Sequence, residues 1–155
     1  MSALGITWTR DGDRVTVNGK NLVDSAPVGV LDAFESGSTL RFLIPLAMIS
    51  GKKTTFTGAE RLMQRPMTVY EKLCTEKGIS YEFDGKKITI EGKLTGGEYN
   101  VVGNVSSQFI SGLIFALPLC EKDSVIKIAP PIESRSYIDL TLSAVKSFGI
   151  KADWS

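Results

Sequence analysis

The chain has 155 residues, 43% of them hydrophobic and 23% charged, and a formal net charge of +1, so we expect one domain with a sizeable core and no nucleic-acid partner. The sequence has two cysteines and no histidine, which does not make a disulfide framework or a zinc site. Without histidine, Ser-His or Cys-His nucleophilic catalysis is poorly supported. We therefore expect neither a metal nor a cofactor. The longest apolar stretch, residues 109–120, is too short to span a bilayer and no secretory signal is visible, which predicts a cytoplasmic protein with no membrane partner.

Two segments of the same pattern predict two β-hairpins. "GITWTRDGDRVTVNG" begins at Gly5 and "GISYEFDGKKITIEG" begins at Gly78, and each alternates apolar and polar residues around an Asp-Gly pair that tolerates positive φ. A third copy, "GIKADWS", begins at Gly149 and stops within its first strand. Each glycine follows a helix-like segment and is expected to cap it. We therefore expect the sequence to open inside one repeat and to close inside another.

The segments between the hairpins share one layout. A helix over 36–50, a strand over 53–57 and a helix over 66–77 are matched by 106–117, 124–128 and 137–148. Pro66 suits a first helical position, whereas Pro45 and Pro118 are expected to kink or end their helices. The layout predicts an α+β fold of repeated β-α-β-α-β-β units with buried helices: residues 1–20 end one unit, 21–93 form a second, and 94–155 form a further, truncated one.

Two polar clusters occur at the helix starts of the first complete unit. In "ESGSTLRF", Gly37 lets a ligand approach the backbone, and the free N–H groups of a helix start favour an anion. Plain helix capping by the serines and threonine is the alternative. In "RLMQRPM", Arg65 precedes a helix start, where a guanidinium could share an anion with those N–H groups or could simply be a solvated surface arginine.

Two further clusters occupy the corresponding places in the last unit. "GNVSSQFISG" offers Ser106 and Ser107 where a cap needs one hydroxyl, so a second hydroxyl and the Gln108 amide are surplus and suit phosphate. "ESRSYIDL" offers Ser134 and Tyr137, with Ser136 and Asp139 as an alternative capping box. Four such clusters at equivalent places predict one shared cavity for small anionic substrates.

These stretches, in the longer forms "ESGSTLRFL", "TGAERLMQRPM", "GNVSSQFISGLIFALPL" and "ESRSYIDLTL", resemble the enolpyruvyl transferases in order and approximate spacing, over residues 4–154. Within this family, the sequence resembles the branch that acts in the shikimate pathway, the route of aromatic amino-acid biosynthesis. It implies transfer of the enolpyruvyl group of phosphoenolpyruvate to the 5-hydroxyl of shikimate 3-phosphate, with release of phosphate. It also implies a monomeric two-domain enzyme with mixed four-stranded sheets, of which this chain is about two of the three units of one domain.

The resemblance also implies roles for individual residues. The shikimate 3-phosphate site would comprise Ser106, Ser107, Gln108, Ser134 and Tyr137. The phosphoenolpyruvate site would comprise the Gly37 main chain, Arg65 and Gln108. Arg41, although part of the family pattern, is expected to be mainly structural, and no residue is assigned a catalytic role.

The departures from the family pattern bear on activity. The Lys-Ser-x-x-x-Arg segment of the family is absent, and so are its acid–base carboxylates, so we expect a fragment that holds part of the site, has no turnover, and has the remainder of the same enzyme as its partner. One alternative is the branch that acts on UDP-N-acetylglucosamine, which carries a cysteine on a mobile loop; Cys74 and Cys120 are predicted in helices and match it poorly. A non-catalytic anion-binding repeat module is the second alternative.

Overall fold

The computed structural model describes residues 2–23 and 29–155. These residues contain eight strands: β1 (Thr7–Asp11), β2 (Arg14–Asn18), β3 (Leu31–Asp32), β4 (Thr54–Thr57), β5 (Ser80–Phe83), β6 (Ile88–Glu91), β7 (Glu98–Val102) and β8 (Val125–Ala129). Five α-helices accompany them: α1 (Gly37–Met48), α2 (Glu60–Met63), α3 (Thr68–Lys77), α4 (Ser107–Ala116) and α5 (Arg135–Ser147). Short 3-10 turns cover Ser2–Leu4 and Leu117–Leu119. The predicted helix end at the first residue and the part of the 21–93 unit at residues 24–28 lie outside the described residues.

The strands form three sheets whose directions follow the repeat. In the first complete unit the order is β3-β4-β6-β5, with β3 and β4 parallel and the other two pairings antiparallel. In the second unit β7 and β8 form a parallel pair, and β1 and β2 form an antiparallel hairpin at the other end of the described chain. Helices and mixed sheets thus alternate, which confirms the α+β fold class.

Both predicted hairpins and their capping glycines are present. The hairpins β1–β2 and β5–β6 turn at Gly12 and Gly85, where φ is +58° and +90°, values that glycine adopts readily. Gly78, with φ +67°, ends α3, and the next amide donates back to the Cys74 carbonyl at 2.8 Å. After α5 the amide of Ile150 donates to the corresponding carbonyl, that of Val145, at 3.2 Å. The repeated sequence therefore gives repeated helix caps.

Helices α1 and α4 pack against each other at the centre of the core. Leu40 and Ile44 of α1 and Leu113 of α4 are fully buried, and α4 buries nearly every residue, as its lack of a polar face predicts. Gly112 makes the close approach possible, because a Cβ there would lie 2.5 Å from the Arg41 carbonyl oxygen. The apolar face of α4 thus lies directly against the backbone of α1.

Pro45 lies inside α1 and changes its hydrogen bonding. A proline has no N–H, so it cannot donate to the carbonyl of Arg41, four residues before it. The hydroxyl of Tyr70, on α3, donates to that carbonyl at 2.6 Å and contacts the Phe109 carbonyl at 3.3 Å. Tyr70 is fully buried, and burial raises the pKa of its hydroxyl well above the ordinary value, so the hydroxyl keeps its proton. One tyrosine therefore joins three helices.

Several predicted helix boundaries were wrong. Pro66 does not start a helix: a four-residue helix, α2, comes before it and α3 begins at Thr68. Pro118 ends α4 as expected, because it cannot donate within the helix, and the chain continues as a 3-10 turn. Cys120 follows that turn and is not helical. Among the helices described, none is long and apolar enough to cross a membrane.

Candidate functional site

The N-termini of α1 and α4 lie side by side. Gln108, the second residue of α4, donates from Nε2 to Oγ of Ser38, the second residue of α1, at 2.7 Å. Corresponding positions of the two units thus touch each other. Each helix start carries free N–H groups and a partial positive charge, so the pair forms one electropositive edge.

Arg41 holds the other end of the Gln108 amide. Its Nη1 donates to Oε1 of Gln108 at 2.7 Å, and its guanidinium lies 4.8 Å from the ring centre of Phe109. Arginine offers only donors, so the amide oxygen must face Arg41 and the amide nitrogen must face Ser38. One N–H of the Gln108 amide remains for a ligand. The expectation that Arg41 is mainly structural fits this contact, since only 8% of the residue is exposed.

Gly37 lies where the two arginines converge. A Cβ at this position would be 2.9 Å from Nη1 of Arg41 and 3.1 Å from Nη1 of Arg65, so any larger residue would displace a guanidinium. Arg65, on the segment between α2 and α3, therefore reaches the start of α1. The structure brings Gly37, Arg65 and Gln108 together, as a shared anion site requires.

In the part of the chain that the structure describes, no ion pair compensates the positive charge at this edge. Burial and, to a smaller extent, the nearby Arg65 lower the pKa of Arg41, which is the direction expected for a cation that lacks an acidic partner. Within the described residues neither arginine forms an ion pair, and Nε of Arg41 is buried without a hydrogen bond. Buried cations usually have an anion beside them, so this arrangement is suited to receiving one.

The start of α4 settles which serine caps the helix. Ser106 is the cap, and its Oγ accepts from the backbone N–H of Gln108 at 3.4 Å. Ser107 is the first helical residue, is 6% exposed, and its hydroxyl has no partner in the part of the chain that the structure describes. A capping hydroxyl still has its own proton to donate. Both serines can therefore cap or position the helix and offer a donor to an anion.

The start of α5 is brought beside this edge by Gly103. A Cβ on Gly103 would be 2.6 Å from the Pro131 carbonyl oxygen, and the Glu133 amide donates to the Gly103 carbonyl at 2.8 Å. These contacts place the segment that carries Ser134 against the loop that leads into Ser106. Ser134 precedes α5 with positive φ and makes no side-chain cap, and Tyr137 is 64% exposed. Both residues are exposed.

The alternative capping box at α5 was wrong. The helix begins at Arg135 rather than Tyr137, so the cap position belongs to Ser134 and not to Ser136. Asp139 accepts from Nε1 of Trp154 at 2.6 Å, and the guanidinium of Arg135 lies 4.4 Å from the Trp154 ring. The charged residues of this helix start are therefore engaged by the C-terminal segment.

Sequence reasoning missed two contributors to the site. Ser38 was grouped with possible caps, but the actual cap of α1 is Ser36, whose Oγ accepts from the Thr39 amide at 3.1 Å. Ser38 and Gln108 hold the same place in their two helices, and this repeat equivalence was the available signal for a contact. Gly103 was quoted without a role; its close contacts are visible only in the fold.

The comparisons with known proteins agree on one family. The family model for EPSP synthase (3-phosphoshikimate 1-carboxyvinyltransferase) matches residues 1–155. A Clostridium perfringens 3-phosphoshikimate 1-carboxyvinyltransferase is 45% identical over 152 residues, which are 97% of this chain and 36% of the relative. One from Clostridium kluyveri is 42% identical over 100% of this chain and 37% of its own length. A solved EPSP synthase of Acinetobacter baumannii superposes with a TM-score of 0.76 and 20% identity, covering 99% of this chain and 35% of that one. The chain thus spans about 36% of the length of the curated relatives it matches.

Proposed function

The chain belongs to the EPSP synthase family, and from that premise we propose that it forms one wall of the substrate site of a 3-phosphoshikimate 1-carboxyvinyltransferase. The reaction would transfer the enolpyruvyl group of phosphoenolpyruvate to shikimate 3-phosphate and release phosphate. Both substrates are anions, and the two helix starts with Arg41 and Arg65 form an edge without an acidic partner among the described residues. The remainder of the same enzyme is the partner that closes the site.

Phosphoenolpyruvate would bind at the start of α1. Gly37 has no side chain, so an oxygen of the ligand can reach the backbone N–H groups of the first turn. Arg65 would add a guanidinium, whose paired donors match the geometry of a carboxylate or phosphate. Its side chain makes no hydrogen bond within the described residues, which leaves those donors available.

Shikimate 3-phosphate would bind at the start of α4. Ser106 and Ser107 would donate hydroxyl protons to the 3-phosphate beside the free N–H groups of the helix, and Ser134 would donate a third from the facing segment. Tyr137, with its ring largely exposed, would cover the ring of the sugar-like acid. The three serine hydroxyls are neutral, so they would bind the phosphate without adding a further positive charge beside the arginines.

The hydrogen-bonded row from Ser38 through Gln108 to Arg41 is the observation that supports this proposal most strongly. The row joins residues that are 70 positions apart in the sequence. It holds the two helix starts together through two hydrogen bonds of the Gln108 side-chain amide, each 2.7 Å long. Gln108 lies where the two helix starts meet and keeps one amide N–H, with which it would contact the substrates.

Proton transfer is left to the remainder of the enzyme. Addition to the enol carbon needs an acid and a base near the reacting atoms, and serine, glutamine and arginine side chains at neutral pH serve poorly as either. We therefore propose binding by this chain and turnover only when the rest of the enzyme is present.

Calorimetric titration of the 155-residue chain tests the binding part of the proposal. Shikimate 3-phosphate should bind and UDP-N-acetylglucosamine should not, and Ser107→Ala should weaken the first by about tenfold, as expected for a lost hydrogen bond to a charged group. Ser147→Ala, at the far end of α5, is the matched control. Equal binding of both ligands would favour the non-catalytic anion-binding module, and preference for UDP-N-acetylglucosamine would favour the other branch.

A chimaera tests the catalytic part. The corresponding segment of the Clostridium perfringens relative is replaced by this chain, and phosphate release is measured with both substrates. The chimaera should turn over, and its Arg65→Ala variant should raise the KM for phosphoenolpyruvate more than that for shikimate 3-phosphate. An inactive but folded chimaera, or activity of the 155-residue chain alone, would contradict the proposed division of labour.

A further inference from the structure

In each unit, the loop that enters the first helix crosses the segment that leads to the second helix. At the crossing of the first unit, the Ala59 amide donates to the Phe34 carbonyl at 2.7 Å. At the crossing of the second unit, the Glu133 amide donates to the Gly103 carbonyl at 2.8 Å. The two segments that meet at each crossing carry the two groups that are proposed to hold one anion.

Gly58 lies at the crossing of the first unit. A Cβ there would lie 2.8 Å from the Phe34 carbonyl oxygen and 2.9 Å from Cδ2 of Leu62, which is buried in α2. The Arg65 amide donates to the Leu62 carbonyl at 3.0 Å, so a displacement of Leu62 would move the backbone of Arg65. Gly58 thus lets α2 and Arg65 approach the loop that leads into Gly37.

Gly103 lies at the crossing of the second unit. A Cβ there would lie 2.6 Å from the Pro131 carbonyl oxygen and 2.7 Å from that of Ala129, and both are backbone atoms. The Gly103 amide also donates to the Ala129 carbonyl at 2.7 Å, which continues the pairing of β7 with β8. The segment that ends at Ser134 therefore lies directly against the loop before Ser106 because residue 103 has no side chain.

Space, rather than backbone conformation, is the reason for glycine at both crossings. Neither Gly58 nor Gly103 has the positive φ that favours glycine, so alanine can adopt either backbone conformation. An added methyl group would instead have to push the two crossing segments apart. The nearest atoms to each Cβ all belong to the glycine's own unit, so the displacement would begin within one unit and not in the other.

We propose that Gly58 and Gly103 are positioning residues, each of which sets the separation of the two groups that hold one substrate. Gly58 sets the distance between Arg65 and the start of α1, where phosphoenolpyruvate would bind. Gly103 sets the distance between Ser134 and Ser106, where shikimate 3-phosphate would bind. The inference rests on the proposed function for the identity of the two ligands, and on the close contacts of the two glycines for the division between them.

A packing role alone would have a different consequence. If the two glycines served only to pack the core, alanine at either position would lower stability and would weaken both substrates alike. Positioning of one pair of groups by each glycine instead makes the two substitutions selective in opposite directions. A hydrogen bond to a charged ligand is sensitive to small displacements of its donor, so the selectivity is measurable.

Steady-state kinetics of the chimaera with alanine at each glycine tests the proposal. Gly58→Ala should raise the KM for phosphoenolpyruvate about tenfold and that for shikimate 3-phosphate less than about threefold, as expected when one hydrogen bond to an anion is weakened. Gly103→Ala should do the reverse. Gly96→Ala is the matched control, because a Cβ there would overlap the Lys122 carbonyl oxygen at the other end of β7, away from both helix starts. It should leave the ratio of the two KM values unchanged.

The outcomes separate this inference from the proposed function. A parent chimaera that folds but does not turn over would contradict the proposed function, and the inference with it. A parent chimaera that turns over, with alanine variants that raise both KM values equally or neither, would overturn the inference alone. A Gly96→Ala variant as selective as the other two would have the same effect.

Double variants distinguish positioning from a general loss of stability. In an Arg65→Ala background, Gly58→Ala should change the KM for phosphoenolpyruvate less than about twofold, because the group that it displaces has already been removed. Ser134→Ala should reduce the effect of Gly103→Ala on shikimate 3-phosphate in the same way. Undiminished effects in these backgrounds would overturn the proposal.

Ala59→Pro gives the same test in the first unit if circular dichroism shows that Gly58→Ala does not fold. Ala59 has φ −56°, which proline adopts, and proline removes the N–H that donates to the Phe34 carbonyl. This variant should also raise the KM for phosphoenolpyruvate selectively. An unchanged KM in a folded Ala59→Pro chimaera would overturn the role of this crossing.

Discussion

The two units have corresponding helix starts, but the side chains at those helix starts differ. Ser36 and Ser106 both cap the first helix of their unit, but the next residue is Gly37 in one and Ser107 in the other. One start therefore exposes backbone donors and the other offers a hydroxyl. The two proposed anion sites thus differ in their donors, while the side-chain amide of Gln108 joins the two helix starts.

The same comparison holds deeper in the core. Tyr70 of α3 donates to the Arg41 carbonyl of α1, and Thr141, at the corresponding place in α5, bonds to the Ser111 hydroxyl of α4 at 2.7 Å. Each unit therefore ties its second helix to its first by one buried polar contact. In the first unit the contact replaces a hydrogen bond that Pro45 cannot make, so we expect it to contribute more to stability.

Gly112→Ala should lower the free energy of unfolding most, because it disrupts the packing of α4 of one unit against α1 of the other. The added methyl group would lie 2.5 Å from the Arg41 carbonyl oxygen and from the Tyr70 hydroxyl. Overpacking of this kind costs about 1–3 kcal/mol, and more where backbone cannot move. Urea unfolding followed by circular dichroism measures it. Gly19→Ala is the control, since a Cβ there meets nothing within 4 Å; equal stability of both variants would contradict the packing argument.

Tyr70→Phe and Thr141→Val compare the two buried contacts directly. Removing the tyrosine hydroxyl leaves a buried carbonyl without its donor, at a cost of about 1–3 kcal/mol, and the threonine change should cost about 1 kcal/mol. The same urea experiment measures both. If the threonine variant lost as much stability as the tyrosine variant, Pro45 would not be the reason for the difference.

The two helix caps give a smaller contrast. Ser36→Ala should destabilise the chain by about 1 kcal/mol, because Oγ accepts from both the amide and the hydroxyl of Thr39. Ser106→Ala should cost less than half as much, since its cap bond is long at 3.4 Å. Thermal unfolding by calorimetry distinguishes them. Equal losses would mean that the second helix start depends on its cap as much as the first.

The two cysteines give the smallest effect, which is one of reactivity rather than stability. Burial raises the pKa of Cys74 to about 12, so its thiol stays protonated in the folded chain at pH 8. The reactive thiolate forms only as the pH rises towards 12. Cys120 is only partly buried. A chromogenic disulfide reagent should modify one thiol per native chain at pH 8 and two after denaturation. Modification of both native thiols at similar rates would contradict this difference.

Local signals explain what the sequence could predict. The hairpins follow from Asp-Gly pairs, the helix ends from Gly78 and Gly149, and the helix order from apolar spacing, all of which act within a few residues. The wrong boundaries depend on distant contacts. The amide of Glu133, two residues before α5, donates to the distant Gly103 carbonyl, and Asp139 accepts from Trp154 instead of capping its own helix.

The same division applies to the candidate site. Serines, a glycine and an arginine at helix starts identify an anion site in general terms, because each is a local feature. The bonds from Gln108 to Ser38 and to Arg41 join residues 70 and 67 positions apart, so no local pattern could reveal which donors remain free. The roles assigned to individual substrates remain predictions for the titrations and the chimaera.

Pro45, Tyr70 and Gly112 also constrain how this sequence can change over generations. Proline at 45 makes the Tyr70 hydroxyl necessary, and Gly112 leaves the space in which that hydroxyl reaches the backbone of α1. A change at one of the three positions alters the consequence of changes at the other two, so their effects are not additive. Among related chains, these three positions are therefore expected to vary together or not at all, and a lineage that replaced the proline would be free to replace the tyrosine next.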